Sequence, residues 1–461
     1  MRAIPFFRLL PLAAVVLGGC AVGPAYVLPA TPEPAAYKEA QGWSPAAPAD
    51  ALERGPWWTL FNDPVLNELA GRIEISNQNV AAAVASYAQS RALVQQQRAA
   101  LFPSVSLTTS GERSGTRNAG ADNNYRLNIG TSWEPDLWGR LRASAGAASA
   151  NSQASAADLA SARLSAQGEL AANYVVLRQT DAQAALLAST IEGYQRVLQI
   201  TRNRFEAGIA SKSDVLQAQT QLSNAGIDAL ALTRQRAQFE HAIATLLGKA
   251  PADFALAPAP WQAFVPDIPV GVPSALLQRR PDIAAAERRV ASANEQIGIA
   301  RSAYYPNIGL SASLGNAGSR VSDLFSASTA LWSFGLNAAQ SLFNAGATRA
   351  SVAGAEASQQ AAVARYRQTV LDAFGDVENQ LSATRILAQQ LVLRRESSES
   401  ADQVEAQMLN RYKAGQVGYS EVVQAQASAL SARRALVQAQ GDRQSTAIAL
   451  IQALGGGWQA Q

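Results

Sequence analysis

Cysteine and histidine are almost missing from this chain of 461 residues, which has one of each, Cys20 and His241. A single cysteine excludes any intrachain disulfide. One histidine with no cysteine beside it excludes the usual zinc shells. His241 sits in a helical run, Phe239-Glu240-His241-Ala242-Ile243, and reads as a structural or surface residue. Charge is scarce as well. Only 16% of residues are charged and the formal net charge is +3, which gives no basic patch for nucleic acid. The acidic residues are dispersed and form no recognisable acid–base pair. Phosphate-cradling glycine loops are absent, since the one glycine triplet, Gly455-Gly456-Gly457, has no helix after it. No catalytic residue, cofactor or metal is expected, so energy for any transport must come from a partner. After residue 20 no apolar run reaches the ~20 residues of a spanning helix. A bilayer crossing would need strands closed into a barrel.

What is present begins at the N-terminus. Arg2 and Arg8 precede an apolar run over residues 9–17, followed by Gly18-Gly19-Cys20. This is the layout of an export signal. Leu17-Gly18-Gly19-Cys20 resembles a bacterial lipobox, in which Cys20 receives lipid and becomes the first mature residue. The competing readings are a plain secretory signal with Cys20 incidental, or a short membrane anchor. Removal of residues 1–19 takes two arginines and lowers the formal charge from +3 to +1. Ala21 rather than Asp after the cysteine points to release to the outer membrane. Acyl chains add membrane affinity without a spanning element.

The chain is written twice. Arg204-Phe205-Glu206-Ala207-Gly208 and onward matches Arg411-Tyr412-Lys413-Ala414-Gly415, 207 positions later, with nine of 22 residues identical. Leu247-Gly248 matches Leu454-Gly455 at the same offset. Leu101-Phe102-Pro103 matches Tyr304-Tyr305-Pro306 at 203, and Gly139 against Gly346 restores 207. Four ordered matches with one small length change are not chance.

Each copy reads as helix, strand, turn, strand, long helix, turn, long helix. An apolar-periodic run from Leu66 to Leu101 predicts one helix, ended by Pro103. Val105, Leu107, Leu127, Ile129 and Thr131 alternate with polar or small residues, as in a barrel strand, and residues 111–124 between them read as a solvent loop. In the second copy residues 307–313 and 330–336 read as strands, with 315–323 as loop. Residues 140–204 carry apolar side chains at three- and four-residue spacing and no proline, which predicts a helix about 100 Å long at ~1.5 Å per residue. Residues 346–411 repeat the design. Such lengths point to coiled-coil packing in layers, although a long soluble bundle would explain the helices equally well. Four strands are too few to close a barrel; three chains would supply twelve.

Three ordered landmarks, Trp57-Trp58-Thr59-Leu60-Phe61-Asn62-Asp63-Pro64, Trp133-Glu134-Pro135-Asp136-Leu137-Trp138-Gly139-Arg140 and Arg279-Arg280-Pro281-Asp282-Ile283, join Leu342-Phe343-Asn344-Ala345-Gly346 and the paired turns. Together they resemble the outer-membrane factor family, the exit ducts of tripartite drug efflux and type I secretion, and most of all its lipoprotein branch serving resistance-nodulation-division pumps. The resemblance covers nearly the whole mature chain. It implies a mainly α fold with a transmembrane β-barrel: a homotrimer with a twelve-stranded barrel, a periplasmic coiled-coil tunnel and an equatorial collar. It also implies a periplasmic adaptor and an inner-membrane transporter as partners, with outer-membrane lipid around the barrel. On this reading the chain divides into signal peptide 1–19, lipidated equatorial segment 20–63, first repeat 64–250, equatorial linker 251–273, second repeat 274–455 and tail 456–461.

Candidate site residues cluster at the two turns. Gly208 and Gly415 can adopt positive φ, Ser211 or Ser213 and Ser420 can cap the next helices, and Asp214 and Glu421 suit their first turns. Local helix-ending chemistry accounts for these residues without any further role. By resemblance, Tyr412, Glu421 and Gln424 fall at the family's periplasmic gate, with Tyr419 and Asp214 beside them. The family often has an acid where this chain has Gln424, and some members an arginine where it has Val417. Adaptor docking is expected at Arg204, Phe205, Gly208, Arg411, Lys413 and Gly415. The rival readings are a periplasmic adaptor or coiled-coil lipoprotein, a secreted helical enzyme, and the exit duct of a protein secretion system.

Overall fold

The computed structural model describes residues 22–31, 34, 36–39, 56–116, 119–268 and 280–456. Cys20 and the signal lie outside the described residues. After a 3-10 turn, Trp57–Phe61, come α1 (Pro64–Ser76), α2 (Gln78–Ala99), β1 (Ser104–Thr116), β2 (Ala119–Trp133), α3 (Arg140–Glu206) and α4 (Lys212–Leu246). The second copy supplies α5 (Pro281–Ser302), β3 (Asn307–Gly318), β4 (Ala330–Ala339), α6 (Ala347–Lys413) and α7 (Tyr419–Ala453). Helices α3 and α6 are both 67 residues long, and α4 and α7 both 35. The duplication is therefore kept to the residue in the helical part.

Two compact units share the chain. One draws on residues 1–31, 85–157 and 284–369, the other on 32–84, 158–283 and 370–461. Each takes material from both copies.

The first unit holds the sheet, an antiparallel meander in the order β1-β2-β3-β4. Its register sorts side chains by chemistry. Val105 and Leu107 lie across from Thr131 and Ile129, Ile129 from Leu314, and Leu314 from Trp332, with Phe334 and Leu336 on the same side. The opposite side carries Ser106, Ser110, Asn128, Arg126, Ser311, Ser313, Ser333 and Asn337, with Leu331 its one large apolar residue among those described. Trp332, Phe334 and Leu336 are 80%, 71% and 67% exposed, an apolar face that water would not tolerate. Strands of 10 to 15 residues reach the ~9–11 needed to cross a bilayer. No described helix is long and apolar enough to cross one.

Two expectations change here. Residues 111–116 and 119–124 are strand rather than solvent loop, and β3 runs on to Gly318. Their Gly, Ser, Asn and Arg content mimics a loop, yet ladder pairing continues through it because one face of this sheet is mostly polar or small. The short helices Val321–Phe325 and Ala327–Thr329 occupy most of the remaining connection.

The corner from β2 into α3 explains the Trp-Glu-Pro-Asp-Leu-Trp-Gly-Arg motif. Gly139 has φ 81°, and the Asp136 carboxylate accepts from the amides of Leu141 (3.0 Å) and Arg142 (2.9 Å), capping α3. Trp138 donates from Nε1 to the Pro306 carbonyl at 2.7 Å and stacks on Tyr305 at 4.8 Å. Residues 22–31 lie in the same unit: the Val22 amide donates to the Trp138 carbonyl (3.4 Å), and Asn294 donates to that of Pro24 (2.9 Å).

In the second unit Asp63 caps α1 through the amides of Val65 and Leu66, and Tyr174 donates to its other oxygen at 2.7 Å. Burial pushes the Tyr174 hydroxyl up to about 12, so it stays a donor. The single helix expected from Leu66 to Leu101 is broken at Asn77. Its side chain accepts from the amides of Asn79 and Val80 at 3.0 Å and donates to the Leu246 carbonyl at 2.7 Å, so it starts a second helix. The Gly248 Cα sits against the Ser76 carbonyl, where a Cβ would lie 2.2 Å away.

Candidate functional site: the paired turns

The second unit contains both turns, and they have one backbone. Gly208 and Gly415 sit at φ 74° and 72°. In each, the glycine amide donates three residues back, to Phe205 or Tyr412, and the next amide donates to Arg204 or Arg411, all at 2.8–2.9 Å. These double bonds are the Schellman closure of a long helix. A Cβ on Gly208 would meet nothing, so the requirement there is conformational rather than steric.

Starting the next helix is done differently in the two copies. Ser211 accepts from the Asp214 amide at 3.2 Å, and Asp214 returns the bond to the Ser211 amide at 3.1 Å, a full capping box. The Asp214 carboxylate is thereby occupied. In the second copy Gly418 stands at the cap position with no side-chain bond, and Ser420 lies inside α7 rather than capping it. The residue matching Ser211 is Gly418, so Ser420 comes two positions too late. Glu421 and Gln424 are exposed, and Glu421 makes no hydrogen bond or ion pair among the described residues.

Between the turns the two copies pack together. Val197, Leu198, Val215, Ala218, Tyr412, Tyr419 and Val422 form one buried cluster, edged by Leu409 and Val417. The rings of Tyr412 and Tyr419 lie 5.3 Å apart, each residue 3% exposed. Burial raises the Tyr419 hydroxyl well above its ordinary value, so it is neutral. Arg204 reaches across from the first copy: its guanidinium lies 4.8 Å over the Tyr412 ring and donates to the Lys413 carbonyl at 3.0 Å. Lys212 sits 5.5 Å over the Phe205 ring. Arg411 and Lys413 are exposed, and Phe205 is 40% exposed.

The structure therefore sorts the candidates. Tyr412 and Tyr419 are glue inside one chain, Arg204 links the turns, Asp214 is a cap, and Glu421, Gln424, Phe205, Arg411 and Lys413 face outward. The Arg204 link joins residues 209 positions apart, which no local spacing could reveal.

A buried network higher in the unit was also hidden. Arg178 pairs with Asp181 (3.0 Å), Asp181 with Arg236 (2.7 Å), and Arg236 with Glu240 (3.3 Å). The same groups hold the linker, since Arg178 donates to the Ala257 carbonyl at 2.8 Å and Glu240 accepts from the Leu256 amide at 2.6 Å. The i, i+3 and i, i+4 spacings are visible in the sequence, but their burial at 4–18% side-chain exposure is not. A cleft of about 260 Å³ is lined by Ser161, Ser165, Arg280, Asp282, Asp376 and Gln452. Its charges are spent on one another, with Arg280 bound to Asp282 at 2.7 Å and to Asp376 at 3.1 Å. Among the described residues no three acidic, histidine or cysteine groups converge on a metal position.

The chain is 32% identical over 463 residues to the antibiotic efflux pump outer membrane protein ArpC of Pseudomonas putida, covering 98% of this chain and 96% of that one. The outer-membrane channel OprN superposes with TM-score 0.88 at 32% identity, over 95% of this chain and 100% of its own. The open-state MtrE channel of Neisseria gonorrhoeae gives 0.86 at 28%, over 96% and 99%. The fold is that of the outer-membrane channels, helical with a membrane sheet, and the protein is not an enzyme. With the outer membrane efflux protein model matching residues 69–249 and 272–456, one stretch for each copy, this chain belongs to that family.

Proposed function

We propose that three copies of this chain close into one passive duct, the outer-membrane part of a tripartite efflux system for drugs or other small molecules. The observation that carries the trimer is the sheet: four strands with one apolar face and two unpaired edges, β1 and β4. Open edges do not persist in hydrocarbon, and four strands cannot close on themselves. Twelve strands from three chains can, with the serine- and asparagine-rich face lining a wet lumen. The drug class comes from the antibiotic pump component to which the chain is similar.

Cys20 carries the lipid in this reading. The Val22 amide, two residues later in the chain, donates to the carbonyl of Trp138, five residues past the end of β2. An adaptor docks on the outward residues of the turns, Phe205, Arg411 and Lys413, with open space beside Gly208. An inner-membrane transporter of the resistance-nodulation-division type supplies the energy. Threefold repetition makes rings of Glu421 and Gln424 at the periplasmic mouth. Tyr412 and Tyr419 set the position of the helix that carries them.

Planar-bilayer recording tests the duct and its mouth together. Glu421→Ala with Gln424→Ala should raise single-channel conductance and weaken cation preference. No conductance from wild-type protein would end the duct reading, and unchanged conductance in the variant would end the gate assignment. Exchange of Arg411 and Lys413 for Glu should abolish adaptor pull-down while leaving conductance intact.

A further inference from the structure

The sheet sorts charge as well as apolar residues. Helices α2, α3, α5 and α6 all join it at the end marked by Ser104, Trp133, Asn307 and Ala339, so the hairpin connections lie at the far end. There, the side that carries Leu107, Ile129 and Trp332 also carries Arg113, Asn123 and Tyr125. Arg320 follows Gly318 by two residues in extended backbone, φ −125° and ψ 152°, and so keeps to that side. Glu112, Asp122 and Arg126 fall on the opposite, serine-rich side.

The two arginines on the apolar side are free to bind something else. Neither pairs with an acid among the described residues, whereas Arg140 and Arg142 at the helical end bind Glu134 at 2.6 Å and Asp136 at 3.0 Å. Asp323 does reach the apolar side, since a Cβ on Gly318 would lie 2.3 Å from the Asp323 Cβ. Its carboxylate accepts from the Arg320 amide at 3.0 Å, which starts the short helix Val321–Phe325. That helix turns back over Gly318 and leaves Val321 and Phe325 56% and 80% exposed.

Height decides what these residues meet. From Trp133 to Asn123, the partner of Arg113, β2 rises by ten residues. That is about 33 Å along the strand and about 25 Å of height at the ~40° tilt of barrel strands. The apolar band of an outer-membrane barrel is about 25 Å tall. Arg113 and Arg320 therefore stand where hydrocarbon gives way to headgroups.

We infer that Arg113 and Arg320 hold the phosphates of a phosphorylated glycolipid of the outer leaflet, with Val321 and Phe325 against its acyl chains. Backbones two strands apart are separated by about 10 Å, so two guanidinium forks can take the two phosphates of one lipid A disaccharide. Tyr125, on the strand between them, lies across Gly111, where a Cβ would come within 3.2 Å of its ring. It supplies the aromatic side chain usual at that depth. The inference rests on the duct reading, which decides which end is outside and which side meets lipid. It adds a class of bound lipid and the residues that select it.

Titration of the detergent-extracted protein with bisphosphorylated lipid A, read by native mass spectrometry, tests the site. Wild-type protein should hold lipid A at least fivefold more tightly than phosphatidylglycerol, and inorganic phosphate should not displace it. Arg113→Gln with Arg320→Gln should weaken lipid A binding at least fivefold with the sheet signal retained. Each single variant should weaken it at least twofold, which keeps the test open should the double variant not fold. Arg126→Gln, on the serine-rich side, should leave it unchanged. Unchanged affinity in the Arg113 and Arg320 variants, or an equal loss in Arg126→Gln, overturns the site. Equal binding of phosphatidylglycerol, or displacement by inorganic phosphate, overturns the lipid class. Wild-type protein that conducts in a planar bilayer yet shows no preference for lipid A sinks this inference alone; protein that passes no ions sinks the duct reading beneath it.

Discussion

The two helical hairpins have identical lengths but different braces. The first copy's ion pairs are buried, whereas the second relies on the more exposed pairs of Arg433 with Asp402 and Glu405, both at 2.7 Å. In the first, Arg178, Asp181, Arg236 and Glu240 form a continuous buried chain of charge, and the capping box of Ser211 and Asp214 starts α4. In the second the arginines remain at the same offset, as Arg385 and Arg443, but the acids have become Ala388 and Ala447. Arg385 pairs with Glu39 instead, at 2.5 Å, and the buried Nε of Arg443 has no partner. The cap serine has become Gly418. Duplication preserved the backbone and let the restraints diverge. On the proposed reading of the mouth, the copy with the buried charge chain is the frame, and the copy carrying Glu421 and Gln424 is held to it through the Arg204 link, which can be released.

The largest expected effect breaks the frame. Asp181→Ala leaves Arg178 and Arg236 buried without their shared carboxylate and should cost about 3–5 kcal/mol, read as a lower thermal midpoint of the detergent-extracted protein. The reciprocal change, Ala388→Asp, gives Arg443 the partner its counterpart has and should stabilise by about 1 kcal/mol. A stabilised Asp181→Ala would refute the bracing argument.

Next comes the link between copies. Arg204→Ala removes the contact with the Tyr412 ring and the Lys413 carbonyl, together about 1–3 kcal/mol, and should raise resting conductance severalfold. Arg411→Ala, at the matching but exposed position, should leave it unchanged. Equal effects from the two would remove the distinction between frame and moving part.

The smallest effects test the caps. Ser211→Ala should cost about 1 kcal/mol, whereas Gly418→Ser should gain only a few tenths and lower the open fraction of recorded channels. A Gly418→Ser channel that opens more often would show that the missing cap does not loosen the second turn.

Much of this was legible in the residues. Periodicity and the 207-residue offset located the long helices to within two residues, because such patterns need only neighbours. The break at Asn77 was missed because a polar residue on an amphipathic run looks like its solvent face. It caps a separate helix because its side-chain oxygen accepts from the Asn79 and Val80 amides, while its amide group donates to the distant Leu246 carbonyl. Residues 111–116 looked like a loop because strand signals assume a dry core, and one side of this sheet has none. Ser420 looked like a cap until Gly418 proved to be where α7 starts. The Arg204 link lay beyond reach because its partner is distant in sequence, and the charge network because neither its burial nor the Asp181–Arg236 pair that joins its two halves shows in local spacing.

Light scattering of the detergent-extracted protein, corrected for bound detergent, tests the central claim most directly. A protein mass of three chains, with sheet signal retained, is the predicted result. A mass of one chain with the same sheet signal would contradict it.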